Sequence, residues 1–161
     1  MAADCKGEQF WFTRLHETDH GAFLRESDDT LCYAVNGVVT PVLPRAEVKL
    51  RGLHNVENLL AAIAAVWGRV PVDVMRQVGS TFTGVEHRIE PVRVLDGVTY
   101  YNDSIASSPT RTIAGLRSFD QKIILIAGGY DKKIPYEPLA PEIGAHVKVL
   151  VLMGATAPRI E

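Results

Sequence analysis

A carboxylate and several hydroxyls stand together at residues 101–110, Tyr-Asn-Asp-Ser-Ile-Ala-Ser-Ser-Pro-Thr. The residues just before them, 98–101, are β-branched or aromatic and predict a strand, whereas Ser108 followed by Pro109 is typical of a helix start. Ligands of open α/β sheets gather where strands end and helices begin, and free N–H groups there attract anions. Asp103 is therefore a candidate ligand-binding residue. An ordinary capped turn is the alternative.

Two asparagines, Asn55 and Asn58, open an apolar segment with helical periodicity at residues 55–67. A spacing of three places both on one helical face, where their carboxamides could offer paired donors and acceptors to a heterocycle such as adenine. The alternative is that Asn55 caps the helix and Asn58 faces water.

Two further segments carry cations. In Gly-Val-Glu-His-Arg at 84–88, Arg88 could grip a phosphate and His87 could donate to an oxyanion, or both could simply face water as linker residues. Lys132 follows two glycines at the end of the apolar run 122–127, where it could bind a carboxylate or a phosphate. The chain contains no Gly-Lys-Ser/Thr, so this segment is not a P-loop.

The sequence His16-Glu-Thr-Asp-His20 fits the H-E-x-x-H pattern of zinc hydrolases. That chemistry needs a helix to bring both imidazoles to one metal ion. Here the pattern follows a strand-like aromatic run and meets Gly21 at once, so a polar loop between strands is expected and a zinc hydrolase is the alternative. No metal ligand is predicted.

Composition indicates an ordinary globular protein. Of 161 residues, 47% are hydrophobic and 22% charged, and the net charge of -2 gives no general attraction to nucleic acid or an anionic membrane. The longest apolar run is too short to span a bilayer, and the start of the chain lacks a signal-peptide pattern. Two cysteines form no disulfide framework or zinc-knuckle spacing. A cytoplasmic location is expected.

The elements that would position these residues fall into two parts. The first has short strand-like runs, with an Asn36-Gly37 hairpin signal, and is expected to be antiparallel, with two helices behind it. Gly79 to Gly84 is expected to be a linker. The second has a hairpin signal at Asp96-Gly97 and then alternates helices and strands, which predicts a partial Rossmann-like parallel sheet. The predicted strands are 10–13, 31–35, 38–40, 89–95, 98–101, 122–127 and 147–153, and the helices 55–67, 72–78, 109–117 and 136–143.

Four motifs in order, at 52–58, 84–88, 102–110 and 128–132, resemble the successive signatures of the Mur ligase family. That family has a UDP-binding domain, a central P-loop ATPase domain and a Rossmann-like C-terminal domain. The resemblance implies an α/β chain in which residues 1–81 are the tail of the central domain and 82–161 the first part of the C-terminal domain. The chain is then expected to be a fragment.

Within the family, the motifs are most similar to those of the enzymes that join D-glutamate to UDP-N-acetylmuramoyl-L-alanine. The resemblance implies that ATP with Mg²⁺ activates the substrate carboxylate as an acyl phosphate, which the amine of D-glutamate then attacks. It also implies that the P-loop and the magnesium ligands lie in the missing remainder of the ligase chain. The fragment alone is expected to be inactive.

Residue roles follow from the same resemblance, by motif position. It implies that the adenine side is contacted by His54, Asn55 and Asn58, and that the groups near the ribose and phosphates are Arg88 and Asp103. It implies that the catalytic groups are His87 and Arg88, and that the contacts to D-glutamate are Ser107 and Lys132.

Ile105 departs from the family pattern, since some members carry lysine at this position. An apolar side chain cannot make that lysine's ionic contact, so a substrate carboxylate would be held otherwise or by Lys132. A Mur ligase for another amino acid, and a non-catalytic nucleotide-binding or interaction module, are the alternatives.

Overall fold

A computed structural model describes residues 4–161, which divide into two compact units. The first unit ends at Thr83 and the second spans Gly84–Glu161. Both contain helices and strands, so the expected α/β class is confirmed. Among the described residues, no helix combines the length and the apolarity needed to cross a bilayer.

The first unit is a four-stranded sheet with two helices. The elements are β1 (Trp11–Thr13), β2 (Gly21–Arg25), β3 (Thr30–Val35), β4 (Val38–Pro44), a 3-10 turn (Arg45–Glu47), α1 (Leu53–Val66) and α2 (Val72–Thr81). The sheet has the order β1-β2-β3-β4, and the hairpin between β3 and β4 turns at Asn36 and Gly37, whose φ angles of 49° and 78° are those a tight hairpin needs. β1, however, runs parallel to β2, so the prediction of a wholly antiparallel sheet is wrong.

The core of this unit lies between the sheet and the helices. Apolar residues of α1 at helical spacing pack against inward-facing residues of β2, β3 and β4, and Met75 of α2 completes the cluster. The ring of Tyr33 stacks on that of Trp67 at a centroid distance of 4.0 Å. The buried cluster comprises Ala22, Leu31, Tyr33, Val42, Leu43, Val56, Leu60, Ile63 and Met75.

Helix α2 is longer than predicted. It continues to Thr81, so the expected linker from Gly79 is wrong for its first three residues. Gly79 is buried, and a Cβ there would lie 2.5 Å from Leu43 Cδ2, which shows how closely this turn approaches β4. A glycine inside a helix thus serves close packing here rather than helix termination.

The second unit contains two separate two-stranded sheets. β5 and β6 form an antiparallel hairpin around Asp96 and Gly97, and β7 pairs in parallel with β8. The parallel pairing of β7 with β8 fits the predicted layer, but β6 pairs with β5 and not with β7, so the described strands of this unit do not form a single parallel sheet. The elements are β5 (Glu90–Leu95), β6 (Val98–Asn102), α3 (Pro109–Leu116), β7 (Ile123–Gly129), a 3-10 turn (Glu137–Leu139), α4 (Ala140–His146), β8 (Val147–Gly154) and α5 (Ala157–Ile160).

One face of the β7–β8 sheet is bare. Cross-strand register pairs Ile124 with Val149 and Ile126 with Val151, and Met153 continues the same row. These five side chains are each 45–65% exposed, whereas the leucines that alternate with them in both strands are partly buried. A continuous apolar run such as 122–127 is typical of a strand buried in a parallel sheet, and in this unit only one of its faces is covered.

Candidate functional site

The turn that leads into β5 has a strained backbone. His87 and Ile89 both have positive φ angles, 66° and 46°, and Gly84 has 114°. Positive φ is unfavourable for residues with a Cβ and most of all for a β-branched residue such as isoleucine. Such a turn persists only where surrounding groups hold it.

Those groups come from the end of β6 and the start of β5. The carboxylate of Asp103 accepts the backbone N–H of Ile89 at 3.1 Å, and that of Glu90 accepts the N–H of His87 at 2.8 Å. The backbone N–H of Ile105 donates to the carbonyl oxygen of His87 at 3.3 Å. Two of the predicted site segments, 84–88 and 102–110, therefore meet in one hydrogen-bonded cluster.

Asn102 joins the same cluster and was missed by the sequence analysis. Its Oδ1 accepts the N–H of Ser104 at 3.1 Å, and its Nδ2 lies 2.9 Å from Nδ1 of His87, which accepts in the Nε2–H tautomer. The signal was available, since Asn102 directly precedes Asp103 in a polar turn that can bond its own backbone.

Arg88 stands between the two strained residues. Its side chain is exposed and makes no hydrogen bond or ion pair with another residue in the described part of the chain. A guanidinium on a braced turn, with all five donors open, suits a phosphate or carboxylate ligand.

Helix α3 begins at Pro109, as predicted, with Ser108 as its N-cap. The carbonyl oxygen of Ser108 accepts the N–H groups of Arg111 and Thr112, each at 3.1 Å, but its hydroxyl makes no capping bond. Ser107 is exposed, and its backbone N–H donates to the carbonyl oxygen of Ile105 at 2.8 Å. The Ser107 hydroxyl therefore lies at the helix start, on the segment that carries Asp103.

Lys132 lies in the loop after β7 and is exposed, with no polar contact to another described residue. Asp131 braces this loop by accepting the N–H of Lys133 at 2.7 Å and Nη1 of Arg159 at 2.6 Å. These two donors hold the pKa of the Asp131 carboxyl below its ordinary value. Gly128 is required at the strand end, because a Cβ there would overlap the carbonyl oxygen of Met153.

The two asparagines of the first unit lie on one face of α1, as predicted. The Nδ2 group of Asn58 donates to Oδ1 of Asn55 at 3.1 Å, and the buried Asn55 donates to the carbonyl oxygen of Arg51 at 2.7 Å. The helix begins at Leu53 after Gly52, so the alternative that Asn55 is its N-cap is wrong. His54 is partly buried beside the pair.

The segment from His16 to His20 is a loop between β1 and β2, as expected, and not a helix. The ring of His20 stacks on Phe10 at a centroid distance of 4.9 Å, and its Nε2 lies 3.4 Å from a carboxylate oxygen of Glu8. Across residues 4–161, no three His, Cys, Asp or Glu side chains converge as a metal site would require.

No protein-family model matches the chain. Curated relatives match it over its whole length or nearly so. A UDP-N-acetylmuramoylalanine–D-glutamate ligase of Acetivibrio thermocellus is 56% identical over 161 residues, all of this chain and 34% of the relative. The enzyme of the same name from Clostridium kluyveri is 50% identical over the same span, and that from Clostridium beijerinckii is 56% identical over 164 residues, covering 92% of this chain and 36% of the relative.

The chain thus spans about a third of the length of the relatives it matches. Identity at this level over every described element leaves no segment of the chain outside the similarity. As a segment of that length, the chain belongs to the Mur ligase family.

Proposed function

We propose that this chain is part of a cytoplasmic, ATP-dependent ligase that joins D-glutamate to UDP-N-acetylmuramoyl-L-alanine during peptidoglycan precursor synthesis. The observation that carries the proposal is the identity of 50–56% between the chain and ligases of that name. The relatives are about three times longer, so the activity belongs to the longer protein and this chain contributes part of its site. Two free cysteines, exposed Cys5 and buried Cys32, suit a reducing compartment.

On the nucleotide side, Arg88 binds the phosphates and His87 lies beside it as a second catalytic group. The unengaged guanidinium on a braced turn is what supports this role. Asn55 and Asn58, with His54 next to them, contact the adenine. The Asn58 carboxamide is exposed and already oriented by its bond to Asn55, so it is presented at low entropic cost.

On the amino acid side, Lys132 binds a carboxylate of D-glutamate and Ser107 donates a hydrogen bond to it. Lys132 is supported by its exposure and by the loop that Asp131 braces. Ile105 is exposed and offers no charge, so Lys132 supplies the ionic contact.

ATP would supply the phosphoryl group that turns the substrate carboxylate into an acyl phosphate, and Mg²⁺ would offset its charge. This chain would contribute the positively charged groups of that site. Arg88 would hold phosphate oxygens and Asp103 would lie near the ribose and phosphates. We assign no magnesium ligand to this chain, and we place the ligands in the longer protein.

We further propose that the remainder of the ligase chain covers the bare face of the β7–β8 sheet. Five apolar side chains in register, including Ile126 and Val151, form a continuous strip of the kind that is normally buried. Intramolecular cover is favoured because the relatives extend far beyond the matched segment. Double substitution Ile126→Lys with Val151→Lys should destabilise a full-length ligase while leaving the 161-residue chain folded; equal destabilisation of both would contradict this cover.

A chimeric enzyme tests the function. The 161-residue segment of the Acetivibrio thermocellus ligase is replaced by this chain, to which it is 56% identical. ATP-dependent phosphate release is then measured with the UDP-linked substrate and with D-glutamate or other amino acids in turn. We expect turnover that requires D-glutamate.

Two variants sharpen this test. Arg88→Ala should abolish turnover, whereas Arg93→Ala, which removes another exposed arginine from β5 of the same unit, should not. A folded chimera that prefers a different amino acid would support a sister ligase. A folded chimera without any turnover would contradict the proposal and leave the interaction module as the better account.

A further inference from the structure

We infer that Asp103 is a positioning residue, which together with Asn102 and Glu90 locks the turn 87–89 so that Arg88 is presented to the nucleotide. The lock is a property of the free chain, and only its purpose rests on the proposed function. The family resemblance implies that Asp103 lies near the ribose, and in the structure its carboxylate also accepts a hydrogen bond from the backbone N–H of Ile89.

The turn needs a lock because its conformation is intrinsically unfavourable. Two of three consecutive residues, His87 and Ile89, have left-handed backbone angles without being glycine. Without outside contacts these residues would return to the right-handed or extended regions, and the Arg88 between them would change direction.

The lock acts on both sides of Arg88. Glu90 and Ile105 hold the N–H and the carbonyl oxygen of His87, and Asp103 holds the N–H of Ile89. Two of these three bonds have a carboxylate as acceptor, and charged acceptors make stronger hydrogen bonds than neutral ones. The backbone on either side of Arg88 is thus fixed while its guanidinium stays open to a ligand.

Helix α3 sets the position of the Asp103 carboxylate from behind. A Cβ at Gly115 would lie 2.9 Å from Oδ2 of Asp103, so the second carboxylate oxygen occupies the space that a side chain at this helical position would need. Gly115 is buried and is the penultimate residue of α3. Its absent side chain lets the carboxylate reach Ile89.

Amide hydrogen exchange of the 161-residue chain, followed residue by residue by NMR, tests the lock without any ligand. Asp103→Ala should speed exchange of the Ile89 amide about tenfold, because its acceptor is lost. Asp103→Asn should restore most of the protection, because the carboxamide oxygen still accepts. The matched control is Asp120→Ala, which removes an exposed carboxylate after α3. Unchanged exchange at Ile89 in Asp103→Ala would overturn the inference.

Gly115→Ala is the sharper variant, because it alters no group of the turn and no proposed ligand contact. It should speed exchange at Ile89 by displacing the carboxylate, yet protect the amides of α3 at least as well as before, since alanine favours helix. Loss of protection throughout α3 together with an unchanged Ile89 amide would contradict the role of Gly115 and of the lock.

The purpose of the lock is tested in the chimeric ligase. Gly115→Ala should raise the KM for ATP about tenfold and leave the KM for D-glutamate unchanged. Faster exchange at Ile89 with an unaltered KM for ATP would show that the lock does not position a nucleotide-binding group, and would overturn the inference. Failure of the proposed function would be seen separately, as absent turnover in the unsubstituted chimera.

Discussion

Arg159 of α5 donates to the carboxylate of Asp131 at 2.6 Å, one residue before Lys132. The same carboxylate oxygen accepts the backbone N–H of Lys133 at 2.7 Å, and Lys133 itself has a positive φ of 57°. The Asp131 carboxylate therefore holds the loop that carries Lys132, the proposed contact to D-glutamate. This arrangement links the shape of the loop to pH.

The first prediction concerns acid stability. The pKa of Asp131 is lowered in the folded chain, so its contribution to the free energy of unfolding is present above the unfolded value of about 3.8 and is lost as pH falls through the folded pKa. Asp131→Asn should therefore be less stable than the wild type at neutral pH, with a difference that shrinks on acidification below that value. Urea denaturation at several pH values measures it.

Asp120→Asn is the matched control, since Asp120 is exposed in the same unit. Its difference from the wild type should stay close to zero throughout. A stability gap for Asp131→Asn that is unchanged from neutral to strongly acid pH would show that the hydrogen bonds do not depend on ionisation.

The second prediction separates the two substrates in the chimeric ligase. Asp103→Ala should raise the KM for ATP, because it removes the acceptor that holds the turn around Arg88, and Lys132→Ala should raise the KM for D-glutamate, because it removes a charged contact. Loss of one charged hydrogen bond costs about 1.5–3 kcal/mol, so each change should be about 10- to 100-fold. Steady-state kinetics with each substrate varied in turn measures both effects. Lys148→Ala, which removes an exposed lysine from β8, is the control and should change neither. Small, equal effects of both variants on both substrates would mean that the site assignment has to be withdrawn.

The third prediction is that the 161-residue chain alone has no ligase turnover. The family resemblance places the phosphate-binding loop and the magnesium ligands in the longer protein, and acyl phosphate formation depends on both. The measurement is amide formation from ATP, D-glutamate and the UDP-linked substrate, with the chimera as positive control. Turnover by the chain at a rate comparable to the chimera would refute it.

The fourth prediction concerns the core of the first unit. Tyr33 is fully buried and its hydroxyl has no hydrogen-bond partner among the described residues. Tyr33→Phe keeps the stacking on Trp67 and removes an unpaired polar atom, so the free energy of unfolding should rise by about 1 kcal/mol. Thermal and urea denaturation measure it. Tyr100→Phe, at an exposed position, should have no effect, and a destabilised Tyr33→Phe would indicate a partner for the hydroxyl.

Local signals in the sequence predicted the local structure well. Both Asn36-Gly37 and Asp96-Gly97 close antiparallel hairpins, because positive φ at the two central residues is cheap for these residue types. Ser108 and Pro109 begin α3 as predicted. Each of these features depends on a few neighbouring residues.

Features that depend on distant residues were predicted less well. The parallel pairing of β1 with β2 and the exclusion of β5 and β6 from the β7–β8 sheet follow from which strands meet in space, and residue pattern does not record that. Gly79 was expected to end a helix, but close approach to Leu43 makes it an interior position. The packing of α2 against β4 outweighs the low helix propensity of glycine at this position.

The sequence by itself determined the residue types, their order and the four motifs, and from these alone the Mur ligase family could be identified. Only the tertiary structure decided that the carboxylate of Asp103 meets the backbone of Ile89, fourteen residues earlier in the chain, with Gly115 behind it. The physical reason is that a hydrogen bond between separate segments requires both to be placed by the hairpin and the helix around them. A motif shows which groups are present, but the folded chain sets what each group contacts.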